Sequence, residues 1–261
     1  MDSSRDGSTP VPVMERGDDR GAWIWTRVGL ESRGAPFTVA HICDAAVAEA
    51  HVDGAAVTLM SAATVWETLY ATDKPAARIE GWQLDFGEGP TVDAYQRGGP
   101  VLAPDLDSLE SITRWPVFAT QASGEGVKAA FAFPMQVGAI RLGALNLYRL
   151  APGPLDGDQI ADALAFADAA CVLLLADAEG ERTGAADLTW YRDGQSTSQI
   201  HVHQATGMVL VQLNVSAESA LARLRAYAFA HNRPLAEVAR DVVDRKLRFR
   251  PDTGPEVVAD D

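Results

Sequence analysis

Residues 127–137 (VKAAFAFPMQV) and 140–148 (IRLGALNLY) are two β-prone apolar runs with only Gly138-Ala139 between them. A link of two residues joins antiparallel strands, because a parallel return needs a crossover of a dozen residues or more. The pair predicts a long β-hairpin, so the surrounding fold has to supply layers for an antiparallel sheet.

The flanking segments supply them. From Pro36, Val39, Ile42, Cys43, Ala46, Val47 and Ala50 fall on one helical face, and Asp53-Gly54 closes that segment. Ala55 to Met60 and Val65 to Tyr70 predict a second hairpin around Ser61-Ala62-Ala63-Thr64. A short helix is expected over Asp73 to Gly81, a tight turn at Asp85-Phe86-Gly87-Glu88-Gly89-Pro90, a helix over Thr91 to Gln96 and a strand at Pro100 to Ala103. After Pro152 and Pro154, Asp156 starts a long helix to about 181, with Ile160, Ala163, Leu164, Ala167, Cys171, Leu174 and Ala178 repeating at three and four residues. That seam can pack on the sheet, pair with a second copy, or do both. The fold class read from this order is α+β, an antiparallel sheet flanked by helices.

Residues 183–199 loosen into Gly, Ser, Thr and Gln and read as a linker, after which three helical patterns follow. The first covers Ile200 to Leu213. The second starts at Ser216 as N-cap, with Glu218 in the first turn, and runs to about His231. The third follows Pro234, with Leu235, Val238, Ala239, Val242, Val243 and Leu247 on one seam, and ends before Pro251. Such short amphipathic helices bury their seams against one another, giving an all-α three-helix bundle over 200–250, small enough to favour a dimer or docking.

Charge separates the parts. Residues 1–195 hold 14 basic and 28 acidic residues, 196–250 hold 8 and 4, and 251–261 hold 4 acidic residues, so the overall −14 hides a bundle of +4 beside an acidic tail at 251–261. A basic segment between acidic neighbours is a candidate anion-binding module. Residues 1–34 read as a disordered or weakly ordered leader, and their polar start predicts no secretory signal. The longest uninterrupted apolar run, Ala169 to Ala176, is too short to cross a bilayer, and Cys43 and Cys171 lack disulfide or zinc spacing, so a reducing cytoplasm is expected. Hydrolase, zincin and P-loop signatures are absent, and the chain is read as a non-enzyme.

The runs His203-Gln204-Ala205-Thr206-Gly207-Met208-Val209, Ala220 to Ala228 and Arg233-Pro234-Leu235-Ala236-Glu237-Val238-Ala239 resemble the ANTAR family, three-helix RNA-binding modules of bacterial transcription antiterminators. Residues 35–182 resemble the GAF sensor domains that precede ANTAR modules in actinobacterial proteins, through Gly87-Glu88-Gly89-Pro90, Arg114-Trp115-Pro116-Val117-Phe118 and Gly143-Ala144-Leu145-Asn146-Leu147-Tyr148. Thr91 stands where many similar GAF domains carry Cys. The resemblance implies a cytoplasmic homodimer in which a small-molecule effector of unnamed identity controls binding to paired hairpins in leader transcripts.

On that reading the RNA-binding candidates are Arg225, Gln204, His203, Gly207, Arg223, Arg240 and Lys246. At 100° per residue Arg225 borders the buried seam of its helix while Arg223 points to solvent. A packed arginine is pre-organised for a phosphate or base edge, the alternative being an ion pair with Glu218 or a carboxylate of the third helix. Gly207 in mid-helix suggests close approach of another backbone, from a neighbouring helix or from RNA. His201 and His203 sit on different sides of a helix and make no metal pair. Trp66, Phe86, Trp115, Phe131, Phe133 and Asn146 are candidates for a sensor pocket or for ordinary core, and Gly87-x-Gly89 for a phosphate cradle or a plain turn. The other functional classes are a bundle that docks an acidic protein partner, and a DNA-binding helix-turn-helix.

Overall fold

The computed structural model describes residues 19–60, 66–178, 197–250 and 254–257. The N-terminal domain runs through α1 (Arg20–Ser32), α2 (Val39–Ala50), β1 (Gly54–Met60), β2 (Trp66–Ala71), α3 (Lys74–Phe86), α4 (Pro90–Arg97), β3 (Val101–Ala103), α5 (Leu109–Arg114), α6 (Pro116–Gly124), β4 (Ala129–Val137), β5 (Ile140–Arg149) and α7 (Gly157–Ala178). The strands form one antiparallel sheet in the order β2-β1-β5-β4-β3. Both expected hairpins are present, and Val137 lies opposite Ile140 across the two-residue link.

Side chains alternate across a strand, and β5 shows what each face does. Leu145 and Leu147, opposite Val57 and Ala55 of β1 and Phe133 and Phe131 of β4, face a layer of α1, α2 and α7. Asn146 and Tyr148 turn the other way, with Ala56, Ala130 and Ala132, towards α3 and α6. With helices on both faces, β4 is buried from Ala129 to Met135, so its sequence is a continuous apolar run. A fully buried Phe or Leu here contributes roughly 1.5–3 kcal/mol.

The expected leader over 1–34 is corrected in part, because α1 is a helix from Arg20 to Ser32. Asp19 caps it by accepting from the Ala22 amide at 3.0 Å, and Trp23, Ile24 and Val28 are buried against the main core. Residues 1–18 lie outside the described residues. Helix α7 has a mean hydropathy of 1.7 over Gly157–Ala176, enough by length and composition to cross a membrane. Here Ala163, Phe166, Ala167 and Ala170 spend that hydrophobicity on the sheet and on α2.

The C-terminal bundle consists of α8 (Thr197–Leu213), α9 (Ala217–Ala230) and α10 (Leu235–Val243), with Ser216 capping α9 by accepting from the Ser219 amide. Most of the expected linker, residues 183–196, lies outside the described residues, and its last three residues already belong to α8. The third helix is shorter than its seam predicted. It ends at Val243, Arg245 adopts a left-handed φ of 62°, and Leu247–Arg250 is a strand, β6, paired antiparallel with β7 (Gly254–Val257). Leu247 is buried as expected, but with strand alternation. The bundle's apolar centre is continuous with Met60, Trp66, Leu84 and Val92 of the N-terminal domain.

Candidate functional site

Helix α3 organises the contact between the two parts. Asp73 accepts from the Ala76 amide at 2.7 Å to start it, Pro75 occupies its first turn, and Gly87 ends it with φ +70°. The Gly87 amide is already donated to the Gln83 carbonyl, so it is not free to cradle a phosphate. Glu88 accepts from the Val117 and Phe118 amides at 2.8 and 2.9 Å, fixing the start of α6. The Gly87-Glu88-Gly89-Pro90 segment is therefore a structural turn joining three helices.

The last turn of a helix leaves carbonyls without intrahelical partners and carries the negative end of the helix dipole. Arg225 of α9 occupies that position on α3. Its Nε donates to the Leu84 carbonyl at 2.8 Å, and its guanidinium lies 5.9 Å from the centre of the Trp66 ring. Gly87 makes room for it, since a Cβ there would come within 2.8 Å of Arg225 Nη1. Burial pulls the Arg225 pKa down to about 10, opposed by the Asp85 charge. Burial pushes Asp85 up to about 6, opposed by Arg225. The expected alternatives, Glu218 or a carboxylate of the third helix, are not its partners. Arg225 faces the N-terminal domain and is not presented to solvent as a ready RNA contact.

Of the remaining bundle candidates, Gln204, Gly207, Arg223, Arg240 and Lys246 are exposed and His203 is half-buried. Arg223 and Arg240 form no ion pair among the described residues, whereas Lys246 reaches Asp244 at 3.1 Å. Burial lowers the His203 pKa against the opposing charge of Glu67 on β2, so this imidazole also looks towards the N-terminal domain. Among the described residues nothing lies within 4 Å of a Cβ placed on Gly207, so no described helix accounts for that glycine.

The pocket candidates separate. Phe133, like Phe131, is fully buried on the α1/α2/α7 face, and Trp115 packs edge-on to Phe118 while its Nε1 donates to Asp93 at 3.3 Å. Trp66 lies between the two domains, and Phe86 lines an open crevice beside it. Asn146 lines a small cavity of about 10 Å³, room for one water. Among the described residues these side chains thus lie in separate surroundings.

What surrounds Asn146 is a buried polar cluster. Glu80 accepts from Thr58 Oγ1 at 2.7 Å and Gln83 Nε2 at 2.8 Å. Gln83 Nε2 also donates to Thr91 Oγ1 at 2.6 Å, and the Thr91 hydroxyl donates to Asn146 Oδ1 at 2.7 Å. Burial pushes Glu80 up to about 7, against the lowering effect of those hydrogen bonds. Asn146 Nδ2 has no hydrogen-bond partner among the described residues. Sequence reasoning did not single out Glu80 or Gln83. Their signal was position, because Ala76, Ile79, Glu80 and Gln83 share the buried face of α3.

The ANTAR family model matches residues 195–243, the segment that carries α8, α9 and α10. Residues 195–243 are an ANTAR domain. ANTAR domains form a family of RNA-binding antitermination regulators. No curated protein matches the chain. Among solved structures, it is similar to the GAF domain of a phosphoenolpyruvate-protein phosphotransferase from Coxiella burnetii, with 15% identity over 62% of this chain and 97% of that one and a TM-score of 0.47. The corresponding Acinetobacter domain gives 12%, 63%, 99% and 0.45. A cyanobacteriochrome GAF domain gives 14%, 64%, 97% and 0.38. The exposed Arg223 and Arg240 and the engaged Arg225 therefore lie inside the matched segment, and Lys246 lies three residues beyond its end.

Proposed function

We propose that the chain is a cytoplasmic transcription antitermination regulator whose GAF-type N-terminal sensor governs access of RNA to its ANTAR domain. The observation that carries this reading is the position of Arg225, an ANTAR side chain bordering the bundle core and engaged by the last turn of α3. In this arrangement the exposed Arg223, Arg240, Lys246 and Gln204 meet hairpin phosphates, and Arg225 joins them once the domains separate. Val172 and Leu175 remain exposed on α7, which supports pairing with a second copy so that two ANTAR domains address two hairpins. A small-molecule effector that prefers one arrangement over the other shifts the balance by its difference in affinity.

The test is mobility shift of the full chain against a tandem-hairpin RNA, a scrambled RNA and a matched duplex DNA over a range of salt. Preference for the hairpins supports antitermination. Equal affinity for all three, or none, overturns it in favour of a protein-docking bundle.

A further inference from the structure

Beside the seat of Arg225, the two domains enclose an open crevice of about 740 Å³. Small-molecule sites span roughly 300–1,000 Å³. Trp82, Asp85 and Phe86 line the sensor side, and Phe229 and Pro234 the ANTAR side. Phe229 is 69% exposed, a large apolar ring left open at the mouth.

The charges in the crevice are unevenly matched. Arg233 is held by Asp241 at 2.7 Å, with Glu237 at 3.8 Å, and Arg225 through its Nε by the Leu84 carbonyl, while Arg225 Nη2 is buried without a hydrogen-bond partner among the described residues. The Asp85 carboxylate has no hydrogen bond and no ion pair among the described residues, although Arg225 is near enough to lower its pKa. A poorly solvated carboxylate without a hydrogen-bond partner is costly to maintain. Aromatic faces attract cations, and the chain's net charge of −14 favours them further.

We propose that this crevice is an effector site for a planar aromatic cation, whose charged group pairs with Asp85 and whose ring lies among Trp82, Phe86 and Phe229. Such a cation neutralises the carboxylate that attracts Arg225 and repels the guanidinium, so occupancy and release of Arg225 are coupled, each favouring the other. The binding step stands on the crevice alone, and only the consequence for RNA rests on the antitermination reading.

Calorimetric titration of the full chain, without RNA, with 2-naphthamidine, 2-naphthamide and 2-naphthoate tests the site. The amidine is expected to bind about tenfold or more tighter than the amide, a difference of about 1.4 kcal/mol, with the carboxylate weakest. Asp85→Asn should abolish the preference, and Phe229→Ala, at an exposed position, should weaken the amidine without unfolding the chain. Equal binding of the three probes, tightest binding of the naphthoate, or a preference that survives Asp85→Asn overturns the proposal. Hydrogen exchange over residues 217–230 should rise with the amidine. Binding without that rise overturns the coupling to Arg225, and it leaves the RNA-binding reading standing.

Discussion

Arg225 Nε and the Leu84 carbonyl are 2.8 Å apart, a hydrogen bond between residues 141 positions apart that ties the ANTAR domain to the N-terminal domain. The acceptor is one of the free carbonyls at the end of α3, and a guanidinium there gains both the hydrogen bond and the dipole. The contact has a steric condition as well. Gly87 follows the helix with φ +70°, and a Cβ on it would lie 3.1 Å from Arg225 Cζ and 3.3 Å from Cδ.

Gly87→Ala tests that condition. The left-handed backbone costs an L-residue about 1–2 kcal/mol, and the new methyl displaces the arginine. The expected result is a small fall in Tm together with faster amide exchange over α9. On the antitermination reading hairpin RNA also binds more tightly, because Arg225 is released. An unchanged exchange pattern would mean that the seat tolerates the methyl and that Gly87 serves only the turn.

Two other glycines make opposite predictions. A Cβ at Gly143 would sit 1.9 Å from the Thr58 carbonyl oxygen in the β1–β5 pairing, so Gly143→Ala should abolish soluble, cooperatively folding protein. A Cβ on Gly207 meets nothing within 4 Å among the described residues, and alanine is favoured in a helix interior by about 1 kcal/mol. Gly207→Ala should therefore hold or raise Tm. A loss of hairpin binding alongside that stability would place RNA at this glycine, and unchanged binding would remove it from the interface.

These residues also show which physical signals a sequence carries. The β4–β5 hairpin was legible because a two-residue link leaves one geometry. Helix α1 was not, since three buried apolar residues, Trp23, Ile24 and Val28, behind a polar start resemble a leader until the core that receives them is known. Leu247 fitted the helical spacing of α10, but Leu247 and Phe249 are buried while Arg248 and Arg250 are exposed, a period of two. The Arg245 backbone, at φ 62°, decides between the two readings. Helical angles placed Arg225 correctly at the border of its seam, whereas its partner on α3 left no local trace. The layers of the aromatic candidates were illegible for the same reason: these residues face different layers, and membership of a layer depends on pairings distant in sequence.

Glu80 gives the chain a pH dependence of definite sign. Its carboxyl is buried and its pKa is raised from 4.5 to about 7, chiefly by burial, so between those values the folded state binds more protons than the unfolded chain. Stability from this group is full below about pH 4.5, declines as pH rises towards 7 and is flat above it. The amplitude is on the order of 3 kcal/mol, at 1.36 kcal/mol per unit. Glu80→Gln should flatten the profile of Tm between pH 5 and 8, with Thr58 and Thr91 retaining a polar partner. A profile as steep as that of wild type would show that another group, such as Asp85 with its pKa near 6, sets the dependence.

The exposed and engaged arginines should differ in how salt affects them. Each phosphate neutralised by a cation releases counterions, and the slope of log affinity against log salt changes by roughly 0.7–0.9 per contact. Arg223 and Arg240 are exposed and unpaired among the described residues, so on the antitermination reading Arg223→Ala and Arg240→Ala should each shallow the slope by about that amount while leaving the unfolding free energy within about 0.5 kcal/mol of wild type. Arg225→Ala instead loses the Leu84 hydrogen bond and loosens the interdomain contact, which exposes α9 as it removes a cation. On the antitermination reading its effect on RNA binding is the sum of a lost contact and a freed surface, and the salt slope separates the two. A slope equal to wild type, with altered affinity, would mean that Arg225 acts only on docking. A slope shallower by one contact would mean that the same guanidinium serves Leu84 in one state and a phosphate in the other.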